Sequence, residues 1–175
     1  GIHFLEITYD AAGRVSDEET AKNIELLSKH FKDRMYIGAG TVLTEKQVEM
    51  TFNAGGKFII SPDVNESVIR KTKEFGMISM PGALTPTEIQ TAYRYGADFV
   101  KLFPAVNLGC DYIKAIKAPL SHINLLAVGG VNLDNINEYI SVGVCGFGIG
   151  TNIIDKDMIK NNDFESITKL AIKYM

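Results

Sequence analysis

The chain has 175 residues, 46% of them hydrophobic and 22% charged, with a formal net charge of −3. That suits one globular domain with a substantial core, and it leaves no basic footprint for nucleic acid or an anionic membrane surface. No apolar run approaches the length needed to cross a bilayer, and Cys110 and Cys145 lack metal-ligand spacing, so the expectation is a reduced cytoplasmic protein with two ordinary thiols.

In chain order, a short apolar run alternates with an amphipathic helical pattern. The runs fall near residues 3–9, 35–42, 58–62, 78–82, 99–105, 124–129 and 145–149. Helix starts are marked between them. Ser16-Asp17-Glu18-Glu19, Thr44-Glu45-Lys46-Gln47 and Thr85-Pro86-Thr87-Glu88 each fit a capping box, and Pro86 takes the first helical position, where its missing N–H costs nothing. Asn132 is expected to cap a helix over 133–141, and a last helix is expected from Asp163 to Tyr174. Gly55, Gly76, Gly96 and Gly143 fall where helices end, the place for left-handed caps. There is no linker and no second domain, so residues 1–175 are read as a single barrel domain.

Strict strand–helix alternation predicts a parallel sheet. Its regular period favours a (β/α)8 TIM barrel over a doubly wound sheet. Seven units are present where the barrel needs eight, and the chain enters directly into a strand. The expectation is a barrel lacking its first strand–helix unit, with a seven-stranded open barrel or a doubly wound sheet as alternatives. No secretory leader is visible, and the opening at Gly1 suggests that the natural N-terminus is missing.

Chemistry in such a barrel gathers at the C-terminal strand ends. In Phe99-Val100-Lys101-Leu102-Phe103-Pro104-Ala105, alternation puts Phe99, Lys101 and Phe103 on one face and Val100 and Leu102 on the other. A lysine between two apolar faces escapes the cost of burial by losing its proton, which makes its amine a nucleophile. A lysine at a strand edge, or one paired to a buried acid, would read the same way. Glu6 repeats the pattern, with Phe4 and Thr8 on its face; it reads as a buried acid that either forms a structural ion pair with Lys101 or shuttles protons beside it. Gly129-Gly130 and Gly148-Ile149-Gly150-Thr151, at adjacent strand ends, can turn backbone N–H groups toward a phosphate. Gly38-Ala39-Gly40-Thr41 lacks the third glycine of a dinucleotide fingerprint and more simply leaves room for substrate. His3, His30 and His122 form no ligand cluster. Lys114 and Lys117 read as a solvated helix face, and Tyr93 and Tyr95 as packing or interface residues.

Taken together, Leu5-Glu6-Ile7-Thr8, Gly38-Ala39-Gly40-Thr41-Val42-Leu43, Phe58-Ile59-Ile60-Ser61-Pro62, Pro81-Gly82-Ala83-Leu84-Thr85-Pro86-Thr87-Glu88, Lys101-Leu102-Phe103-Pro104-Ala105 and Gly129-Gly130-Val131 closely resemble the 2-keto-3-deoxy-6-phosphogluconate (KDPG) / 4-hydroxy-2-oxoglutarate (KHG) aldolases. The resemblance covers nearly the whole chain. It implies a class I aldolase that cleaves a 2-keto-3-deoxy-4-hydroxy acid to pyruvate and an aldehyde, with neither metal nor cofactor, in a cytoplasmic homotrimer. Lys101 would form the Schiff base and Glu6 would be the general acid/base. Thr41, Pro81 and Phe103 would line the pyruvate pocket, and Gly129, Gly130, Gly150 and Thr151 would hold a distal phosphate. Two positions depart from the family pattern: Asp10 stands where an arginine is common, and Val128 stands where a threonine often precedes the glycine pair. The first places an anion near the substrate, with Arg14 the nearest compensating cation in sequence, and predicts a substrate preference other than KDPG, or weaker binding of KDPG than in relatives. A barrel isomerase or epimerase of sugar phosphates without imine chemistry, or a non-catalytic ligand-binding barrel, are the competing readings.

Overall fold

The computed structural model describes residues 2–175. It runs β1 (Phe4–Thr8), α1 (Asp17–Phe31), β2 (Tyr36–Gly40), α2 (Glu45–Asn53), β3 (Phe58–Ile60), α3 (Glu66–Glu74), β4 (Ile78–Met80), β5 (Gly82–Ala83), α4 (Pro86–Tyr95), β6 (Val100–Leu102), α5 (Gly109–Lys117), β7 (Leu125–Val128), α6 (Ile136–Ser141), β8 (Gly146–Gly148), α7 (Lys156–Lys160) and α8 (Phe164–Lys173).

All strand pairs are parallel, in two sheets of order β1-β2-β3-β4 and β5-β6-β7-β8. The sheets meet at Pro81, the single residue between β4 and β5. Proline has no N–H to give a ladder, so one continuous strand run is divided there, although the Pro81 carbonyl still accepts from the Lys101 N–H at 2.8 Å. The eight ladder segments thus occupy seven strand positions. Among the described residues no ladder joins β1 to β8, and the barrel is open on that flank. This is the architecture of a (β/α)8 barrel without closure.

Strand alternation divides the side chains between helix layer and lumen. On the helix side, Val100, Leu102, Leu125 and Ala127 pack with Ile89, Ala92, Ile113 and Ile123 in one core, and Ile37, Ala39, Val42, Ile59, Val68 and Ile24 form the other. On the lumen side the floor is aromatic: Phe4 stacks on Tyr36 with centroids 5.1 Å apart and meets Phe58 edge-on at 5.6 Å. Gly38 is required beside that floor, because a Cβ there would lie 2.5 Å from the Phe58 ring.

The helix starts follow local chemistry, with corrections. Thr85 and Glu88 form the complete reciprocal box. At α1 only Ser16 caps, accepting from the Glu19 N–H. At α2 Thr44 accepts from the Gln47 N–H, but the Gln47 side chain binds the Leu43 N–H and Asp17 instead of closing the box. Asn65 caps α3. The helix expected over 133–141 begins later, at Ile136: Asn132 accepts from the N–H groups of Asp134 and Asn135 in a turn one step earlier. The last helix is flanked by Asp163 and Tyr174 as expected. Gly55, Gly76, Gly96 and Gly143 all take positive φ, with Gly96 the C-cap of α4.

Leu102 sits on the helix face of β6 with 0% exposure, directly after Lys101. Leu102→Ala should lower unfolding free energy by about 2–5 kcal/mol through lost burial and an unfilled cavity. Urea titration followed by circular dichroism reads this; a loss below about 1 kcal/mol would mean that the helix layer recollapses there.

Candidate functional site

Lys101 is central in β6, between Gly82 of β5 and Leu126 of β7 in the ladder register. It is 7% exposed, and among the described residues its amine has no ion-pair partner. The Phe103 ring lies beside it, with its centroid 5.1 Å from Nζ. Burial pushes the amine below the ordinary lysine value of 10.5, while the charges of Glu6 and Asp63 act in the opposite direction. A cation in this lumen loses hydration that its neighbours replace only in part, so the neutral amine is favoured relative to a surface lysine.

Glu6 shares the lumen but differs from the expected buried acid. Because β1 lies along the open flank, Phe4, Glu6 and Thr8 are solvent-accessible. Protein nonetheless crowds the carboxyl: a Cβ on Gly40 would overlap its oxygen, so glycine at 40 is what gives it room. That crowding pushes its pKa up, against the pull of the Lys101 cation and a 3.4 Å hydrogen bond from the Thr8 hydroxyl. Accessibility from one flank and desolvation by the rest of the lumen coexist, and the upward direction stands. No direct Glu6–Lys101 ion pair forms. The two groups are coupled through the field across the lumen, which leaves the amine uncommitted.

Thr41 follows Gly40 and takes φ +53°. A β-branched residue in the left-handed region is strained, and here it stands at the C-terminal end of β2, directly after Gly40, the residue that lies against the Glu6 carboxyl. Pro81 is buried and presents its carbonyl to Lys101. Phe103 is 45% exposed just beyond β6 and lies against Gly129, where a Cβ would meet its ring at 3.3 Å. The structure therefore brings Lys101, Phe103 and Gly129 together on one side, and Glu6, Gly40 and Thr41 on the other.

Gly129 and Gly130 both take left-handed φ, 90° and 81°. A Cβ at Gly130 would strike Val106. Consecutive positive-φ glycines turn successive N–H groups into one concavity, and among the described residues the N–H groups of Gly130, Val131, Gly150 and Thr151 have no protein acceptor. Asn152, unmarked in the sequence, ties the two loops together by donating to the Val131 carbonyl at 2.7 Å, and Asn135 fixes the first loop through the Gly130 carbonyl at 2.9 Å. Both are ordinary loop asparagines until the fold brings them across. Val128 faces Gly148 on the lumen side, with an apolar wall where a hydroxyl was common in the resemblance.

Asp10 does not stand as a free anion. It accepts from the Ala12, Arg14 and Val15 N–H groups and receives Arg14 in a bidentate pair, Nε at 2.9 Å and Nη2 at 3.0 Å. The guanidinium hydrogen bonds hold its carboxyl far below the usual carboxylate range. Arg14 thus supplies the compensation that its spacing suggested, and the β1–α1 loop presents a neutralised pair. Lys117 is no solvated face residue either: it donates to the Ser121 and Ile123 carbonyls, while Lys114 is exposed. Tyr95 packs against the core under Arg70, and Tyr93 meets His122 edge-on. Among the described residues no cluster of His, Cys, Asp or Glu could hold a metal, and no helix is long and apolar enough to cross a membrane.

Comparison with known proteins places this arrangement. The family model "Aldolase: KDPG and KHG aldolase" matches residues 1–170. A probable 2-dehydro-3-deoxy-6-phosphogalactonate aldolase of Rhizobium meliloti is 41% identical over 138 residues, 78% of this chain and 65% of that protein. A solved native KDPGal structure superposes with TM-score 0.86 at 32% identity, covering 99% of this chain and 82% of the other. A KDPG aldolase of Legionella pneumophila, captured with pyruvate as a covalent carbinolamine intermediate, gives TM-score 0.84 at 31% identity over 97% of this chain and 80% of that one. The alignment with the Rhizobium relative thus spans just under two thirds of that protein's length. Matched along almost all of its sequence, and folded as these enzymes are, the chain belongs to the KDPG and KHG aldolase family.

Proposed function

We propose that this protein is a class I aldolase that cleaves a phosphorylated 2-keto-3-deoxy-4-hydroxy acid to pyruvate and an aldehyde. The observation that supports this most directly is Lys101: a lysine almost wholly removed from solvent, without an ion-pair partner, and favoured in its neutral form by burial. The Lys101 amine attacks the C2 ketone, and the resulting carbinolamine loses water to give a protonated imine. Glu6 takes the C4 hydroxyl proton, through a water, as the C3–C4 bond breaks. The bonding pair passes into the imine, the aldehyde departs, and an enamine of pyruvate remains. Protonation at C3 and addition of water then release pyruvate and restore the amine. Burial pushes the Glu6 carboxyl up from the ordinary carboxylate value, the direction that suits a group that both accepts and returns a proton. Thr41, Pro81 and Phe103 would line the pyruvate end. Gly129, Gly130, Gly150 and Thr151 would receive the phosphate on otherwise unused N–H groups.

For the substrate we infer 2-keto-3-deoxy-6-phosphogalactonate in preference to its C4 epimer. The 41% identical relative bears that specificity in its name. We infer further that the working protein is a cytoplasmic homotrimer, as the family resemblance implies.

Incubation with pyruvate and cyanoborohydride should add a stable mass to the peptide containing Lys101. The pH profile of trapping should rise toward alkali with a midpoint below 10.5, since the folded lysine loses its proton more easily than a free one. Lys101→Arg should abolish the adduct, because a guanidinium stays protonated. A folded protein that is never trapped would point instead to barrel chemistry without an imine.

Retro-aldol assays on the two phosphorylated epimers should give the galactonate form the higher kcat/KM by about tenfold, which corresponds to roughly 1.4 kcal/mol of transition-state discrimination. Equal or reversed efficiencies would end the substrate assignment. Sedimentation equilibrium should return three times the chain mass at micromolar concentration, and a stable monomer would refute the trimer.

A further inference from the structure

Thr41 is held in the left-handed region, and a strained conformation persists only where its surroundings over-determine it. Three hydrogen bonds pin the chain on either side of it. The Gly40 carbonyl accepts from the Tyr9 N–H at 2.9 Å, the Val42 N–H donates to the Ile60 carbonyl at 3.2 Å, and the Leu43 N–H donates to Gln47 Oε1 at 2.8 Å. The first two join main chain to main chain. The third depends on a side chain, that of Gln47 in the first turn of α2. Gln47 is itself fixed at each of its polar groups. Its Nε2 donates to the two carboxylate oxygens of Asp17, at 3.1 and 3.3 Å, in the first turn of α1. Only the amide oxygen can accept from an N–H and only the amide nitrogen can donate to a carboxylate, so the orientation of the amide is determined. The Gln47 N–H donates to the Thr44 hydroxyl, and its carbonyl accepts from the hydroxyls of Tyr9 and Thr51, both buried, at 3.2 and 2.8 Å. One residue therefore ties the end of β1 and the β2–α2 loop, the segments that carry Glu6 and Thr41, to the start of α1.

We propose that Gln47 is a positioning residue that holds Thr41 in the conformation that receives the pyruvate end of the substrate. The proposal rests on the imine chemistry assigned to Lys101 and on the place given to Thr41 at the pyruvate end. Gln47 itself touches no reacting atom. Without the anchor at Leu43, Thr41 relaxes toward a commoner backbone conformation, and ligand binding must then restore the strained one at the expense of affinity. The Lys101 amine stands on β6, in the other sheet, and shares no hydrogen bond with this network. Loss of the Gln47 amide should therefore weaken binding and spare the bond-forming step.

The test is the dependence of cyanoborohydride trapping on pyruvate concentration, at one pH and on the full chain. Gln47→Met keeps the length of the side chain and removes both polar ends. It should raise the half-saturating pyruvate concentration about fivefold, the size expected for one side-chain hydrogen bond, and leave the trapping rate at saturation unchanged. Gln47→Glu still offers an oxygen to the Leu43 N–H but sets a carboxylate against Asp17, and it should raise half-saturation by a similar factor. Adding Asp17→Asn reverses the polarity of that contact, because an amide at 17 then donates to the carboxylate at 47. The double variant should return to within about twofold of wild type, a rescue that a general loss of stability would not give. A folded Gln47→Met with wild-type half-saturation, or one whose saturating rate falls while half-saturation holds, overturns the role of Gln47 while the imine reading stands. Should Gln47→Met fail to fold, a double variant that does no better than Gln47→Glu alone is enough to overturn it. A wild-type protein that is never trapped overturns both.

Discussion

An amine removed from water is the constraint on which the rest of this molecule depends. A lysine cation in the lumen would need compensation from an immediate partner, and no ion pair supplies it. The lysine has instead the Phe103 ring beside it and the field of the Glu6 carboxylate. That field acts against the desolvation but does not hold the side chain in a salt bridge. A tight Glu6–Lys101 pair would stabilise the resting protein, and it would also commit both groups to each other. Separation leaves neither committed to the other, as the proposed proton and bond exchange requires.

The backbone around the lumen is arranged to permit this. Gly40 leaves space for the Glu6 carboxyl, Gly82 lets Ser61 and Pro62 approach β5, and Gly129 and Gly130 adopt φ values that few other residues tolerate. Each glycine exchanges side-chain packing for proximity, and the loss is offset outside the strands, where the apolar faces of β2, β6 and β7 are sealed by helices. The rigid layer and the reactive layer are therefore opposite faces of the same short strands. Leu102 and Lys101, one residue apart, show the division: one is fixed in the core and the other is left without a partner.

Helix boundaries illustrate how local chemistry and tertiary contacts compete. Thr85-Pro86-Thr87-Glu88 folds as its sequence demands: the Glu88 carboxylate closes the box on the Thr85 N–H and also accepts from the Leu84 N–H. Thr44-Glu45-Lys46-Gln47 has the same local logic, but Asp17 from the preceding helix and the Leu43 N–H claim the Gln47 side chain. Asn132 offers another case. Its carbonyl and side chain organise a turn that delays α6, and that turn positions Asn135 to hold the glycine pair.

By itself the sequence determined the alternation of strand and helix, the lumen-facing parity of Glu6 and Lys101, and the glycine pairs at adjacent strand ends. These follow from periodicity and from the conformations that residue types allow, which are local properties. The order of motifs carried the family resemblance, because their spacing reflects the repeating unit. What only the tertiary structure decided is who meets whom. Sequence could not set Ser61 and Pro62 against Gly82, the ladder partner of Lys101, since that approach arises from a loop closed onto the neighbouring strand. It could not show that Asp10 is neutralised within its own loop, or that Asn152 bridges two strand ends, because an Asp or Asn side chain has many acceptable partners. Nor could it show that Glu6 lies accessible along an open flank. Alternation assigns a side chain to a face of the sheet, but its exposure depends on whether another strand covers that face, and that is a property of the assembled barrel.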